Sequence, residues 1–275
     1  MSATRGIKKF GQWALDALAV EWKQLDTLSV FKGRMYESLN KSERHSALRT
    51  VQLIKEKKDG KIKGHTCVNG SRQRSYTAEE DASSPTVSTE ALLITAAIDA
   101  AEKRSVASCD ITGAFLKADM DDFVLIVLYD KEIDALIQAN DMYKKYIQIL
   151  NNGKRILYLK LQKAMYGCLK SARRFWDHLS NFLRKMGFKQ NKYDLCVANK
   201  RINDNICTVA WHVDDLKISH KSQEVVKEII EQLEIEYGKM TVTTGNVHNY
   251  CGMTLIFEDE SVKINMQEYL KDTIN

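Results

Sequence analysis

The alternation of apolar and polar residues predicts the elements of this chain. "SVASCDITGAF" places Ala107, Cys109 and Ile111 on one side of a strand and Val106, Ser108 and Asp110 on the other, so Asp110 ends a strand on its more polar face. "FVLIVLYD" (Phe123 to Asp130) and "KRILYLKL" (Lys154 to Leu161) read as two short buried strands. In "TVAWHVDDLKISH" two runs of strand formers flank Asp214 and Asp215, which predicts a hairpin from Ile206 to Ser219 with both acids at its tip. Val209, Trp211 and Val213 share one face of it, and Ala210, His212 and Asp214 the other.

Helical spacing takes over elsewhere. "SARRFWDHLSNFLRKMGF" sets Ala172, Phe175, Trp176, Leu179, Phe182, Leu183 and Met186 on one stripe and stops at Gly187, which describes a core helix rather than a stacking surface. "SQEVVKEIIEQLEIEYG" buries Val225, Val226, Ile229, Ile230 and Leu233 and ends at Gly238. The single proline predicts a further helix with Ser84 as cap, Pro85 in the first position and a body reaching Lys103. "NYCGMTLIFED" and "SVKINMQEY" read as strands split by a turn at Asp259 and Glu260. From Pro85 onward the order contains βαββαβ, so the predicted class is α+β. It is a split βαβ, ferredoxin-like antiparallel sheet with two helices on one face and the other face open. Asp110 and the hairpin acids become neighbours on that open face despite their separation in sequence.

With 275 residues, 44% hydrophobic and 28% charged, the chain has globular composition and the length for one large or two modest domains. It holds no apolar run of membrane-spanning length, and "MSATRGIKKFGQW" lacks a signal-peptide core, so no membrane partner and an intracellular location are expected. Cys67, Cys109, Cys168, Cys196, Cys207 and Cys251 are scattered singly, which predicts free thiols and gives no zinc spacing. The net charge of +5 is unevenly spread. Lys41 to Arg74 carries ten basic residues against Glu43, Glu56 and Asp59, and Lys154 to Arg174 carries seven against none, each an excess of +7. Two such zones point to polyphosphate or nucleic-acid contacts.

Asp favours tight turns for its own sake, so the hairpin pair alone does not separate a turn from a site. Three carboxylates without basic neighbours repel one another unless cations sit among them, and hard oxygen ligands suit Mg²⁺. Two such ions about 4 Å apart serve in-line phosphoryl displacement. Asp110, Asp214 and Asp215 are therefore expected to converge.

From about Ser42 to Tyr269 the chain resembles the reverse transcriptase of copia-type LTR retrotransposons, through "SPTVSTEALLITAA", "CDITGAFLKADMDD", "LQKAMYGCLKSARRFW", "GFKQNKYDLCV", "HVDDLKIS" and "VHNYCGMTL" in order. The resemblance implies a right-hand polymerase with palm and fingers and with the thumb largely absent. Residues 1–83 would be an N-terminal helix and fingers hairpin, 84–123 and 167–257 the palm, 124–166 more fingers, and 258–275 the start of a thumb. Implied catalytic residues are Asp110, Asp214 and Asp215, which hold two Mg²⁺ ions, or Mn²⁺, with the Ile111 carbonyl. Lys57, Lys63, His65, Phe115, Tyr166 and Gly167 would bind the dNTP. Phe115 would be the gate beneath the sugar, whereas by position alone it reads as a core aromatic at a strand-to-helix corner. Lys163, Ser171, Arg173, Tyr250 and Gly252 would contact template and primer, and Lys57, Lys58, Lys61 and Lys63 would form the phosphate-facing hairpin. Implied partners are an RNA or DNA template-primer and dNTPs, in cytoplasmic virus-like particles and the nucleus.

Two residues depart from the family pattern. His212 stands where much of the family has Tyr, and "GHTCVNG" has His65 near where relatives have a basic residue, so a neutral His65 would weaken the triphosphate contact. Alternatives are a decayed copy that binds nucleic acid without catalysis, and a metal-dependent phosphatase or nuclease using the same acids.

Overall fold

The computed structural model describes residues 1–57 and 60–274, so Lys58 of the expected hairpin lies outside the described residues. In chain order the first segment holds α1 (Ala3–Phe10), α2 (Gln12–Thr27), β1 (Phe31–Arg34), α3 (Lys41–Ser46), β2 (Leu48–Glu56), β3 (Ile62–Val68) and α4 (Glu79–Ala82). Then come α5 (Thr89–Ala101), β4 (Ser105–Asp110), β5 (Leu125–Tyr129), α6 (Asp130–Ala139), β6 (Gln148–Ile149) and β7 (Arg155–Leu161). The remainder is α7 (Ser171–Lys185), β8 (Lys189–Gln190), β9 (Val197–Ile202), β10 (Asn205–His212), β11 (Asp215–His220), α8 (Gln223–Tyr237), β12 (Thr241–Thr244), β13 (Val247–Tyr250), β14 (Met253–Glu258), β15 (Ser261–Asn265) and α9 (Gln267–Ile274). Two compact units result, Met1–Ser83 with Phe115–Arg174, and Ser84–Ala114 with Phe175–Asn275. The segment expected as a thumb thus belongs to the second unit.

In the first unit a sheet of order β1-β7-β5-β2-β3 carries β6 on β7. Its pairs are antiparallel except β2 with β5. Ala14 and Leu18 of α2 pack with Ile54 of β2. Closeness of α2 to β3 depends on Gly64, where a Cβ would stand 2.6 Å from the Ala17 carbonyl oxygen. Gly167 is constrained more tightly. Its φ is +89° and a Cβ would meet Val68 O at 1.9 Å, while Val68 N–H donates to Tyr166 O at 2.7 Å.

The second unit is built on the sheet β12-β4-β11-β10-β9-β8. Its first four strands follow the order of a split βαβ unit, all antiparallel. Tyr237 of α8 stacks edge-on with Phe175 and Phe182 of α7, so the two helices pack together. The opposite face is less open than expected. From α5, Asp99 pairs with the buried Lys217 of β11 and accepts from Ser219 Oγ at 2.5 Å. From β13, His248 Nδ1 meets Ser108 Oγ of β4 at 3.2 Å. Arg104 closes the network, 3.7 Å from Asp99 and 3.0 Å from Glu102. Burial pushes Lys217 below the usual lysine range and Asp99 opposes that shift.

The proline-started helix is also corrected. α5 begins at Thr89, and its cap is Ser88, whose Oγ accepts from Ala91 N–H at 3.1 Å. Asp194 holds Ser88 in place by accepting from its N–H and Oγ–H at 2.8 and 2.9 Å. A proline disfavours helical backbone in the residue before it, and Ser84 and Pro85 lie in the extended lead-in. Among the described residues no helix is long and apolar enough to cross a membrane.

Asp99→Ala leaves Lys217 buried without its partner and is expected to cost about 3–5 kcal/mol of unfolding free energy in urea titrations. The double variant Asp99→Leu/Lys217→Met is expected to recover most of that loss, because neither charge then remains.

Candidate active site

Strand register builds the second unit's site. Asp215 is the cross-strand partner of Asp110, and His212 is the partner of Asp215. Direct partners in an antiparallel pair have Cα atoms about 4.5–5.5 Å apart with side chains on one face. The loop of the hairpin is therefore Val213 and Asp214, and Asp215 already belongs to β11. Asp214 is tied in through its carbonyl, which accepts from Ile111 N–H at 3.0 Å. Burial first, then repulsion from Asp110, pushes Asp214 above the usual carboxylate range. Asp215 is raised in the same way, with both Asp214 and Asp110 against it. Val213 has φ +56°, and Asp214 is not in the left-handed region. That is a type II′ pattern, in which glycine is usual at the first position, so a β-branched residue there holds strain of about 1–3 kcal/mol.

Among the described residues no three His, Cys, Asp or Glu side chains are gathered as a closed metal set. The acids still fit a hard divalent cation. They are half-buried and repel one another, Asp110 and Asp215 share a face with Asp214 in the adjoining loop, and Mg²⁺ commonly takes one or two carboxylates with substrate phosphates completing its shell. The Ile111 carbonyl accepts from Ala114 N–H at 3.1 Å, which leaves one of its two lone pairs.

Tyr250, implied as a primer contact, is only 2% exposed. Its hydroxyl donates to Ala210 O at 3.1 Å and Asp215 O at 3.4 Å, so it braces the acidic hairpin from behind. Gly252 is exposed and follows Cys251 in a turn with φ of +74° and +50°. Ser171 is likewise internal, with its hydroxyl donating to Met165 O at 2.7 Å and accepting from Met165 N–H at 3.1 Å.

In the first unit His65 and Lys63 share a face of β3, with Leu53 and Lys55 their partners on β2. Lys55, missed in the sequence, lies directly opposite Lys63. Such a like-charge pair is unfavourable without an anion. Lys57 is exposed at the end of the same hairpin. His65 stacks edge-on with Tyr166 at 5.0 Å, and Tyr166 stacks with the half-buried Phe115 at 4.7 Å.

The expectation of a neutral His65 is overturned. Hydrogen bonding to Cys67 and to Glu21, whose Oε1 lies 3.5 Å from Nδ1, raises its pKa to about 9. Glu21 reaches β3 from α2 and also accepts from Thr66 N–H at 3.2 Å. No signal in the sequence joins it to a histidine 44 residues onward. The second basic zone is corrected as well. Lys163 pairs with Asp119 at 2.7 Å, Lys170 with Asp122 at 3.2 Å, Arg174 with Asp121 at 3.0 Å and Arg155 with Asp134 at 2.8 Å. A window count missed acids that the fold brings from outside the window.

A profile of the family described as reverse transcriptase (RNA-dependent DNA polymerase) matches residues 35–275. The chain belongs to this reverse transcriptase family. Among curated relatives of this reverse transcriptase chain, the Retrovirus-related Pol polyprotein from transposon TNT 1-94 of Nicotiana tabacum is 21% identical over 251 residues, covering 88% of this chain and 18% of that polyprotein. The Transposon Ty1-DR4 Gag-Pol polyprotein of Saccharomyces cerevisiae is 20% identical over 267 residues, covering 94% of this chain and 15% of its own length. The chain thus spans less than a fifth of either relative. Of solved structures, a foamy viral protease-reverse transcriptase in complex with double-stranded DNA is 11% identical, with TM-score 0.47 over 91% of this chain and 35% of that one.

Tyr250→Phe is expected to cost about 1 kcal/mol of unfolding free energy, since the hydroxyl's hydrogen bonding to the acidic hairpin is lost and the buried ring stays. Urea titration checks it, and an unchanged midpoint and slope would contradict it. A histidine raised above its unfolded value of about 6.5 gives stability that is complete below that pH and is lost as pH rises through about 9. Wild type is therefore expected to lose more Tm between neutral pH and pH above 9 than Glu21→Gln, as followed by circular dichroism.

Proposed function

We propose that this chain is the polymerase portion of a retrotransposon reverse transcriptase, an RNA- and DNA-directed DNA polymerase that extends a primer with dNTPs. The observation that carries the reading is the cross-strand pair Asp110 and Asp215 with Asp214 beside it in the hairpin loop. In this reading the second unit is the palm and the first unit the fingers. Asp110, Asp214 and Asp215, with the Ile111 carbonyl, would hold two Mg²⁺ ions, with Mn²⁺ as a substitute. Such ions, when bound, supply Lewis-acid activation of the primer 3′-hydroxyl and neutralise the charge on the leaving group.

The chain's own residues supply binding and orientation. Lys55, Lys57, Lys63 and the His65 imidazolium attract the triphosphate, and Cys67 together with Glu21 holds the His65 pKa up. Phe115 and Tyr166 form a ring pair suited to the sugar of the incoming nucleotide. Gly167 lets the backbone pass Val68 where a side chain could not. Lys163 and Arg173 are assigned to the template, and for Lys163 binding competes with its Asp119 pair. In the reaction the primer 3′-oxygen bonds to the α-phosphorus, the bond to the bridging oxygen breaks, and pyrophosphate leaves.

Homopolymer-templated dTTP incorporation with Mg²⁺ or Mn²⁺ is the direct test. Extension by wild type that Asp110→Asn abolishes supports the reading, and binding of primer-template without extension would assign the chain to the non-catalytic alternative. Phe115→Val is expected to raise the ratio of ribonucleotide to deoxyribonucleotide incorporation more than tenfold, about 1.4 kcal/mol of lost discrimination. An equal fall in both rates would make Phe115 a core residue.

A further inference from the structure

A further group of cations without acidic partners lies in a region that neither basic window covers. From Arg184 to Arg201 the chain holds Arg184, Lys185, Lys189, Lys192, Lys200 and Arg201 against Asp194 alone. That local excess of +5 equals the whole-chain charge, and Asp194 is committed to Ser88. Among the described residues none of the six cations is ion-paired with a carboxylate. They meet neutral groups instead. Arg184 donates to Asn181 Oδ1 at 2.7 Å and Gln190 Oε1 at 3.2 Å, Arg201 donates to the Asp204 carbonyl at 3.3 Å, and Lys200 lies over the Phe188 ring.

Strand pairing brings them to one edge of the sheet. Lys189 faces Asn199 across β8 and β9 and so shares a face with Arg201, the partner of Ile206 on β10, while Lys200, the partner of Cys207, takes the other face of that edge. A groove of about 400 Å³ results, lined by Lys189, Gln190, Asn191, Asn199, Lys200 and Arg201. Just beyond Asn191, Tyr193 is 100% exposed. Cations at the last turn of α7 complement that helix's dipole, which accounts for Arg184 and Lys185 but not for the strand cations.

We propose that this groove is a second nucleic-acid contact, holding a single strand by its phosphates with Tyr193 as a stacking platform. Lysine and arginine neutralise phosphates, the interleaved amides offer donors and acceptors to sugar and base, and an exposed ring accepts any base. Arg201 faces Ile206, eight residues before Asp214, which is about 25 Å at roughly 3.3 Å per residue. The groove therefore serves a stretch of strand several nucleotides from the carboxylates.

The test uses the full chain and fluorescence anisotropy with labelled single-stranded RNA and, separately, duplex DNA between about 50 and 200 mM salt. For the RNA, Lys189→Gln/Lys200→Gln/Arg201→Gln is expected to reduce the slope of log affinity against log salt by about two and to weaken binding tenfold or more at the low-salt end. Tyr193→Ala is expected to weaken RNA binding about tenfold with the slope unchanged. These side chains lie at the surface, so Tm is expected to remain at the wild-type value. An unchanged slope in the triple variant for both nucleic acids overturns the proposal. A loss for duplex DNA alone overturns the single-strand occupant, and displacement of the RNA by polyglutamate as effectively as by unlabelled RNA would make the groove a general polyanion surface.

Discussion

The register between β4 and β11 is the constraint on which the candidate site depends. Side chains alternate across a strand, so a slip of one residue would carry Asp215 to the helix-covered face and bring Leu216 and Ile218 to the face of Asp110. Carboxylates that repel one another cannot set this register. The buried contacts of Asp99 with Lys217 and Ser219 can, because both partners lie on the carboxylate face of β11 and lose Asp99 if the strand shifts. Stability invested in a buried charge pair, itself of doubtful net benefit, here serves positional uniqueness.

Electrostatics in the two units follow opposite patterns. In the second unit three acids are brought together against their own repulsion and two are pushed up. The first unit places Lys55 opposite Lys63 and keeps His65 cationic beside them. Each arrangement is incomplete without a counter-charge, which is what sites for divalent cations and for polyphosphate require.

Local pattern was a reliable guide where the deciding forces are local. β4, the Asp214 hairpin, α7 with its stop at Gly187 and α8 with its stop at Gly238 all follow from periodicity and terminal residues. Beyond that range the reading failed for identifiable reasons. Ser88 wins the cap over Ser84 because Asp194, more than a hundred residues away, anchors it. Lys163, Lys170 and Arg174 looked unopposed because Asp119, Asp121 and Asp122 come from another stretch. Tyr250 looked like a surface contact, and only the packing of the β13 sheet turns its hydroxyl inward. Charge state and burial are tertiary properties, and a linear window cannot contain them.

Thiol burial gives the molecule a practical property. Cys109, Cys168, Cys196, Cys207 and Cys251 are all raised to about 12 by burial, so at neutral pH each is overwhelmingly the unreactive thiol. Cys67 and Cys251 are the partly exposed ones, and Cys67 lies beside the His65 ring on β3. Four of the six thiols are thus shielded from solvent by the fold, and labelling at native cysteines would be confined to Cys67 on β3 and Cys251 in the turn after β13.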